Sequence, residues 1–140
     1  MKRFFLAVAC VVLLLSCDKE TGRNNNPYLP SYNFSADLNL NLPAYSQLNS
    51  DGNALAITVS GDIDVVIMKI GTEYRAWNGN CPNQSPTSCS RLTASGLTAK
   101  CGCDDAYVYS MFDGTALGAQ YTMVAYRVQV LGGNNIRVYN

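Results

Sequence analysis

The sequence predicts an all-β domain, an antiparallel sandwich or small barrel, with one long loop region tied by cysteines. Three observations carry this. Apolar and polar residues alternate in several short runs. Turn-forming pairs separate those runs at close spacing, and nothing after residue 30 keeps a helical period.

Phe34, Ala36, Leu38, Leu40 and Leu42 alternate with polar residues, as a half-buried strand requires. Asp51-Gly52 is a turn signal, and Ala54 to Ser60 reads as the next strand. Ser60-Gly61 turns into Ile63 to Ile70, a run rich in Val and Ile. Gly71-Thr72 then stands as a two-residue hairpin before Glu73 to Trp77. Leu97 to Lys100, Ala106 to Ser110 and Val124 to Leu131 are strand-like, and Gly132 to Asn135 turns the chain into Ile136 to Tyr139. The gap from Asn78 to Thr98 reads as a loop: it is polar, rich in Pro, Ser and Gly, and holds two cysteines. Loops of that length are usually functional or cross-linked.

The start of the chain is an address. Lys2 and Arg3 precede an apolar run from Phe4 to Leu15, too short to span a bilayer comfortably, and then Ser16-Cys17. Leu14-Leu15-Ser16-Cys17 resembles the bacterial lipobox, in which the cysteine is lipidated and becomes the new N-terminus. The plainer alternative is an ordinary signal peptide with Cys17 incidental. On the lipobox reading, residues 1–16 are the signal peptide and 17–31 a lipidated end and flexible tether. Residues 32–140 then form the β domain. The tether is polar, with Asn24-Asn25-Asn26, Pro27 and Pro30, and would hold the domain roughly 20 Å from the membrane. These features imply an exported protein of the bacterial cell envelope, anchored to a membrane whose leaflet the sequence does not fix.

Composition excludes several functions. Among 140 residues there is no histidine, so there is no Ser-His-Asp or Cys-His pair and no histidine zinc site. Ten basic and ten acidic residues give zero net charge, and no basic run occurs, so no nucleic-acid partner is expected. No catalytic residue and no metal site are assigned.

Besides Cys17 and Cys10, the latter within the signal segment, the cysteines are Cys81, Cys89, Cys101 and Cys103. In an exported protein an even number suggests disulfides, and four cysteines allow three pairings. A thiolate metal or cluster site is the sharper alternative. It usually needs two C-x-x-C knuckles, whereas the spacings here are C-x7-C and C-x-C. A redox-active dithiol is a third reading. Against it, Asp104 adjoins Cys103, and only Lys100 beside Cys101 would favour a thiolate.

The cysteines sit in two familiar boxes. Tyr74 to Trp77 followed by Asn78-Gly79-Asn80-Cys81-Pro82-Asn83-Gln84-Ser85-Pro86 resembles the first cluster-binding box of Rieske domains. Cys101-Gly102-Cys103-Asp104, with Tyr109-Ser110-Met111-Phe112-Asp113-Gly114 after it, resembles the second box and its Phe-Asp turn. The resemblance covers about residues 54 to 140 and implies a Rieske-like antiparallel β fold with a disulfide-linked cysteine loop tip. It also marks the departures. Rieske centres take two imidazoles on one iron, and where the family has them this chain has Asn83 and Asp104. The family's proline-rich loop falls near Gly118-Ala119-Gln120, which has no proline. Cys81, Asn83, Cys101 and Asp104 are therefore the positions of a degenerate cluster site.

In family members the residues matching Cys81 and Cys101 bind one iron, so their sulfurs are close. Cys89 and Cys103 match an extra disulfide of some Rieske domains. The resemblance thus implies Cys81–Cys101 and Cys89–Cys103 bridges, each worth about 3 kcal/mol. No cofactor is expected; the alternative is a 2Fe–2S cluster with Asn83 and Asp104 as ligands, serving electron transfer. The favoured reading is a non-catalytic binding or structural module. Its partners would be the membrane, through the lipid anchor, and a protein of the envelope.

Other constellations are weaker. Asp62 and Asp64 fall on one face of a strand and read as an exposed edge pair, two carboxylates being far short of the six to eight oxygens calcium takes. Asp104 and Asp105 would point to opposite faces and make no acid–base pair. Gln84 to Ser88 reads as turn chemistry, Tyr107 and Tyr109 as strand packing before partner surface, and Trp77 as core.

Overall fold

The computed structural model describes residues 26–104 and 106–140. The signal segment and Cys17 lie outside the described residues, as does Asp105. Among the described residues there are nine strands, in two sheets. They are β1 (Ser35–Asn39), β2 (Ala54–Val59), β3 (Ile63–Ile70), β4 (Glu73–Asn78), β5 (Leu92–Ser95), β6 (Thr98–Cys101), β7 (Val108–Ser110), β8 (Ala125–Leu131) and β9 (Asn135–Tyr139). A single 3-10 turn, Ser46–Asn49, is the one helical element among the described residues. No helix among them is long and apolar enough to cross a membrane.

All strand pairs are antiparallel. The larger sheet runs β1-β9-β8-β4-β3-β2 and the smaller β5-β6-β7. β8 joins two arms of the larger sheet, pairing Ala125 and Tyr126 with β4 and Arg127 to Leu131 with β9. Leu38 and Val138 on one arm and Val65 and Ile67 on the other share one apolar cluster, so the sheet curls over its own core. A second cluster lies between this sheet and the small one, with Val66, Met68, Trp77, Ala99, Tyr109 and Met111. β3 faces both clusters with alternate residues, and Val65 to Met68 are fully buried. A strand buried on both faces needs an unbroken apolar run, which is why this one does not alternate.

Turn chemistry fixes the registers. Ile70 pairs with Glu73 across Gly71-Thr72, the expected two-residue hairpin, with Gly71 at φ +58°. β1 is shorter than its alternation predicts. Asn39 accepts a hydrogen bond on its side chain from the Asn41 amide at 2.9 Å, which turns the chain and leaves Leu42 49% exposed. Ala106 at φ +44° likewise keeps the strand expected from 106 to a start at Val108. The stretch from Asn78 to Thr98, expected as one loop, contains β5, whose Leu92 to Ser95 pair with Cys101 to Thr98. On the outer arm, Asp37 and Arg137 are cross-strand partners joined by two hydrogen bonds of 2.6 and 2.8 Å. The guanidinium hydrogen bonds hold the Asp37 carboxyl below its usual range.

Asn26 and Leu29, within the stretch expected as tether over 17–31, are held to the domain. Leu29 is 4% exposed and packs in the first core cluster.

Tyr126 gives the core a pH dependence. Its hydroxyl accepts a hydrogen bond from Asn78 Nδ2 at 2.9 Å, and burial pushes its pKa up to about 12, aided by Tyr32 and opposed by that hydrogen bond. An unfolded tyrosine releases its proton near pH ~10. The unfolded chain therefore ionises first, so stability is unaffected below that pH and declines as pH rises toward the folded value. The urea midpoint is expected to fall over this range, and Tyr126→Phe to fall less steeply. Equal slopes would show that Tyr126 is not the group responsible.

Candidate functional site

Two loops meet at one end of the small sheet, and a third, which leaves β7 at the other end beside Leu97, returns to them through Gln120 and Tyr121. The first (79–91) leads from β4 to β5, the second (102–107) from β6 to β7, and the third (111–124) from β7 to β8. Cys81 stands three residues after the buried Asn78 and is itself buried, as is Cys101 at the end of β6. The two are disulfide-bonded with Cα atoms 5.6 Å apart. Cys89 and Cys103 form a second bridge with Cα atoms 5.0 Å apart. This is the pairing that the resemblance implied.

Backbone bonds draw the first loop shut. The Cys81 amide donates to the Ser90 carbonyl at 2.7 Å and the Leu92 amide to the Gly79 carbonyl at 2.8 Å. With its ends held so, the chain reaches β6 directly, and β5 forms in a stretch of weak strand propensity.

Gly102 between the paired cysteines is required by space. A Cβ there would lie 2.6 Å from the Cys89 carbonyl oxygen, a backbone atom fixed by the neighbouring bridge. Gly102→Ala is expected to cost about 1–3 kcal/mol, the usual range for forced overpacking, measured by chemical unfolding. An unchanged midpoint would show that the loops yield at no cost. Gly114 is held by a different demand. It has φ +74°, and its Cβ would meet the Trp77 ring at 2.9 Å.

Asn83 is the best-tied side chain of the tip. Its Nδ2 donates to the Tyr109 hydroxyl at 2.7 Å and to the Tyr121 carbonyl at 2.8 Å. Its Oδ1 accepts from the amides of Gln120 at 2.9 Å and Tyr121 at 2.8 Å. A carboxamide has two donors and two acceptor sites, and all four are used. Asn83 thus clips the third loop, in its proline-free stretch, onto the first loop and the buried Tyr109. Asp104 is exposed on the second loop, where the Ala106 amide donates to the Cys103 carbonyl at 2.9 Å.

These residues do not fit an iron–sulfur cluster as they stand. Cys81 and Cys101 are bonded to each other, Asn83 has no lone pair or proton uncommitted, and neither Asn83 nor Asp104 supplies an imidazole. Among the described residues no three His, Cys, Asp or Glu side chains gather as a metal-holding group.

The remaining candidates fall into place around this tip. Trp77 is 8% exposed and donates from Nε1 to the Met111 carbonyl at 3.2 Å, a core residue as expected. Tyr109 is fully buried and Tyr107 half-buried, their rings 6.3 Å apart edge to face. The expectation for Asp62 and Asp64 is corrected. Asp62 sits in the β2–β3 turn at φ +57°, outside the strand, and the Asp64 carboxylate is taken by Arg91 and by the Thr58 hydroxyl.

Three features escaped the sequence. Gln84 is more than turn chemistry: its Nε2 donates to the buried Ser90 hydroxyl at 2.8 Å and to Cys103 Sγ at 2.6 Å. Arg91 ties the first loop to β2 and β3 through Thr58 and Asp64. Asn26 donates from Nδ2 to the Pro82 carbonyl at 2.8 Å, and the Tyr28 ring meets that of Tyr121 edge-on at 5.8 Å. No composition or periodicity signal marks such long-range contacts.

Comparison with protein-family models and with curated proteins finds no match. Among solved structures, a chain of the reduced complex between oxygenase and ferredoxin in carbazole 1,9a-dioxygenase is similar, with TM-score 0.52 and 14% identity over 76% of this chain. A quaternary ammonium Rieske monooxygenase is similar at TM-score 0.51 and 15% identity over 67% of this chain. This chain spans 28% of the former and 29% of the latter, so it corresponds to one domain of each. The ferredoxin of carbazole 1,9a-dioxygenase from Nocardioides aromaticivorans IC177 is 23% identical over 66% of this chain, at TM-score 0.46. At these identities the likeness concerns the fold: the chain folds as a Rieske-type domain, all-β, with a disulfide-linked loop tip.

Proposed function

We propose that this Rieske-type domain is a cluster-free, non-catalytic module of the bacterial cell envelope, anchored to a membrane through lipid on Cys17 and serving a binding or structural role. One observation carries the loss of the cluster. The positions that would hold it are spent on holding the tip together: two cysteines on a buried disulfide, and Asn83 on four hydrogen bonds. An electron-transfer role would require breaking that bridge and freeing the Asn83 oxygen from the Gln120 and Tyr121 amides, for an amide oxygen that donates weakly to iron.

The anchor rests on Lys2-Arg3, the apolar run and Leu14-Leu15-Ser16-Cys17. An oxidising export compartment is also where two disulfides persist. The rigid tip would then serve as a recognition surface for an envelope protein or as a support, as loops on a stiff β scaffold commonly do.

Reconstitution tests the cluster reading. The domain is reduced, incubated anaerobically with ferrous iron and sulfide, and desalted. The expected result is a colourless protein without bound iron. Stable visible absorbance with about two irons per chain would overturn the proposal.

A further inference from the structure

We propose, resting on the lipid-anchored reading above, that the disulfide tip lies against the bilayer, with Leu117 inserted among the lipids and Tyr28 at headgroup level. The path of the chain points this way. Asn26, the first described residue, is fastened to the tip itself through Pro82, and its Oδ1 accepts from the amides of Tyr28 at 2.8 Å and Leu29 at 3.1 Å. Nine residue steps separate Cys17 from Asn26. They span at most about 30 Å. A lipid on Cys17 therefore draws the tip, rather than the opposite end of the sheets, toward the membrane.

The surface at that end suits an apolar neighbour. Leu117 on the third loop is 100% exposed, and Tyr28, 38% exposed, packs beside Tyr121 on the same loop. From Thr115 to Tyr121 the loop carries no charge, and Arg91 is engaged with Asp64. The contact made by this loop is thus apolar and interfacial, the role tyrosine takes at membrane surfaces, and needs no anionic lipid, while the exposed Asp104 on the second loop stays in water. Its weakness is no obstacle. Burying one fully exposed leucine shifts a docked-to-free ratio roughly tenfold or more, and tethering supplies an effective concentration near the millimolar range.

The test uses the full chain purified with its lipid from the exporting bacterium and placed in phosphatidylcholine vesicles with brominated acyl chains. Leu117→Trp adds a fluorophore at the tip, and Val130→Trp adds one at the far end of β8, where Val130 is 61% exposed. Both substitutions replace exposed side chains, and Trp77 is a buried common background. The expected result is emission from Leu117→Trp that shifts to the blue and is quenched by bromine, while Val130→Trp emits as it does in unbrominated vesicles. Equal, unquenched emission from both, in protein that floats with the vesicles and carries lipid on Cys17 by mass, would overturn the inference and leave the tip open to a protein partner. Absence of lipid on Cys17 would overturn the anchor reading and this inference with it.

Discussion

Replacing Cys81 and Cys101 together by alanine is expected to lower the unfolding free energy by about 4 kcal/mol. Loop closure over the separation of 20 residues accounts for about 3 kcal/mol. The remainder, about 1 kcal/mol, is packing lost where both sulfurs sit in the second core cluster beside Trp77 and Met111. The Cys89–Cys103 bridge separates residues only 14 apart and leaves Cys89 exposed. Its removal is expected to cost about 3 kcal/mol from closure alone. Urea unfolding of the two double variants measures the difference. Equal losses would show that the inner bridge contributes nothing beyond chain entropy. Mild reductant is also expected to open the Cys89–Cys103 bond first, since the inner sulfurs are buried.

The second large effect falls on Asn83. Asn83→Ala removes four hydrogen bonds, those from the Gln120 and Tyr121 amides and those to the Tyr121 carbonyl and the Tyr109 hydroxyl. At about 0.5–1.5 kcal/mol each the loss is about 2–6 kcal/mol. Asn83→Asp keeps both acceptor contacts and loses both donations, of which the Tyr109 contact can be remade by the hydroxyl donating to the carboxylate, so it should lie between. Asn83→His is expected to destabilise as well: two ring nitrogens stand against four partners. Hydrogen exchange adds a local readout, with the Gln120 and Tyr121 amides exchanging faster in Asn83→Ala and Asn83→His and staying protected in Asn83→Asp. Unchanged protection in Asn83→Ala would show that the third loop is held by something other than Asn83.

Much of the framework is legible in the residues themselves. The Val- and Ile-rich run Ile63 to Ile70 announces a strand, and Gly71-Thr72 announces the hairpin beside it. Leu92 to Ser95 does not announce a strand. Four residues of mixed polarity form one because Cys81 and Gly79 are pinned across the loop, a tertiary effect no local pattern records. The cysteine pairing follows from the resemblance of the two boxes and not from spacing, which leaves three pairings open. Asn83 was legible only as a missing histidine. Its actual work depends on Tyr109 and Tyr121, which lie 26 and 38 residues further along. For the same reason Asn26 and Leu29 read as tether, although one binds Pro82 and the other fills the core.

The most direct measurement is the intact mass of the native protein under denaturing conditions, before and after reduction and alkylation, with the visible spectrum and iron content of the undenatured sample. The predicted result is a chain four hydrogens lighter than its reduced form, matching two disulfides, with no visible absorbance and no iron. A coloured protein holding about two irons per chain, with Cys81, Cys89, Cys101 and Cys103 all alkylated without reduction, would contradict it.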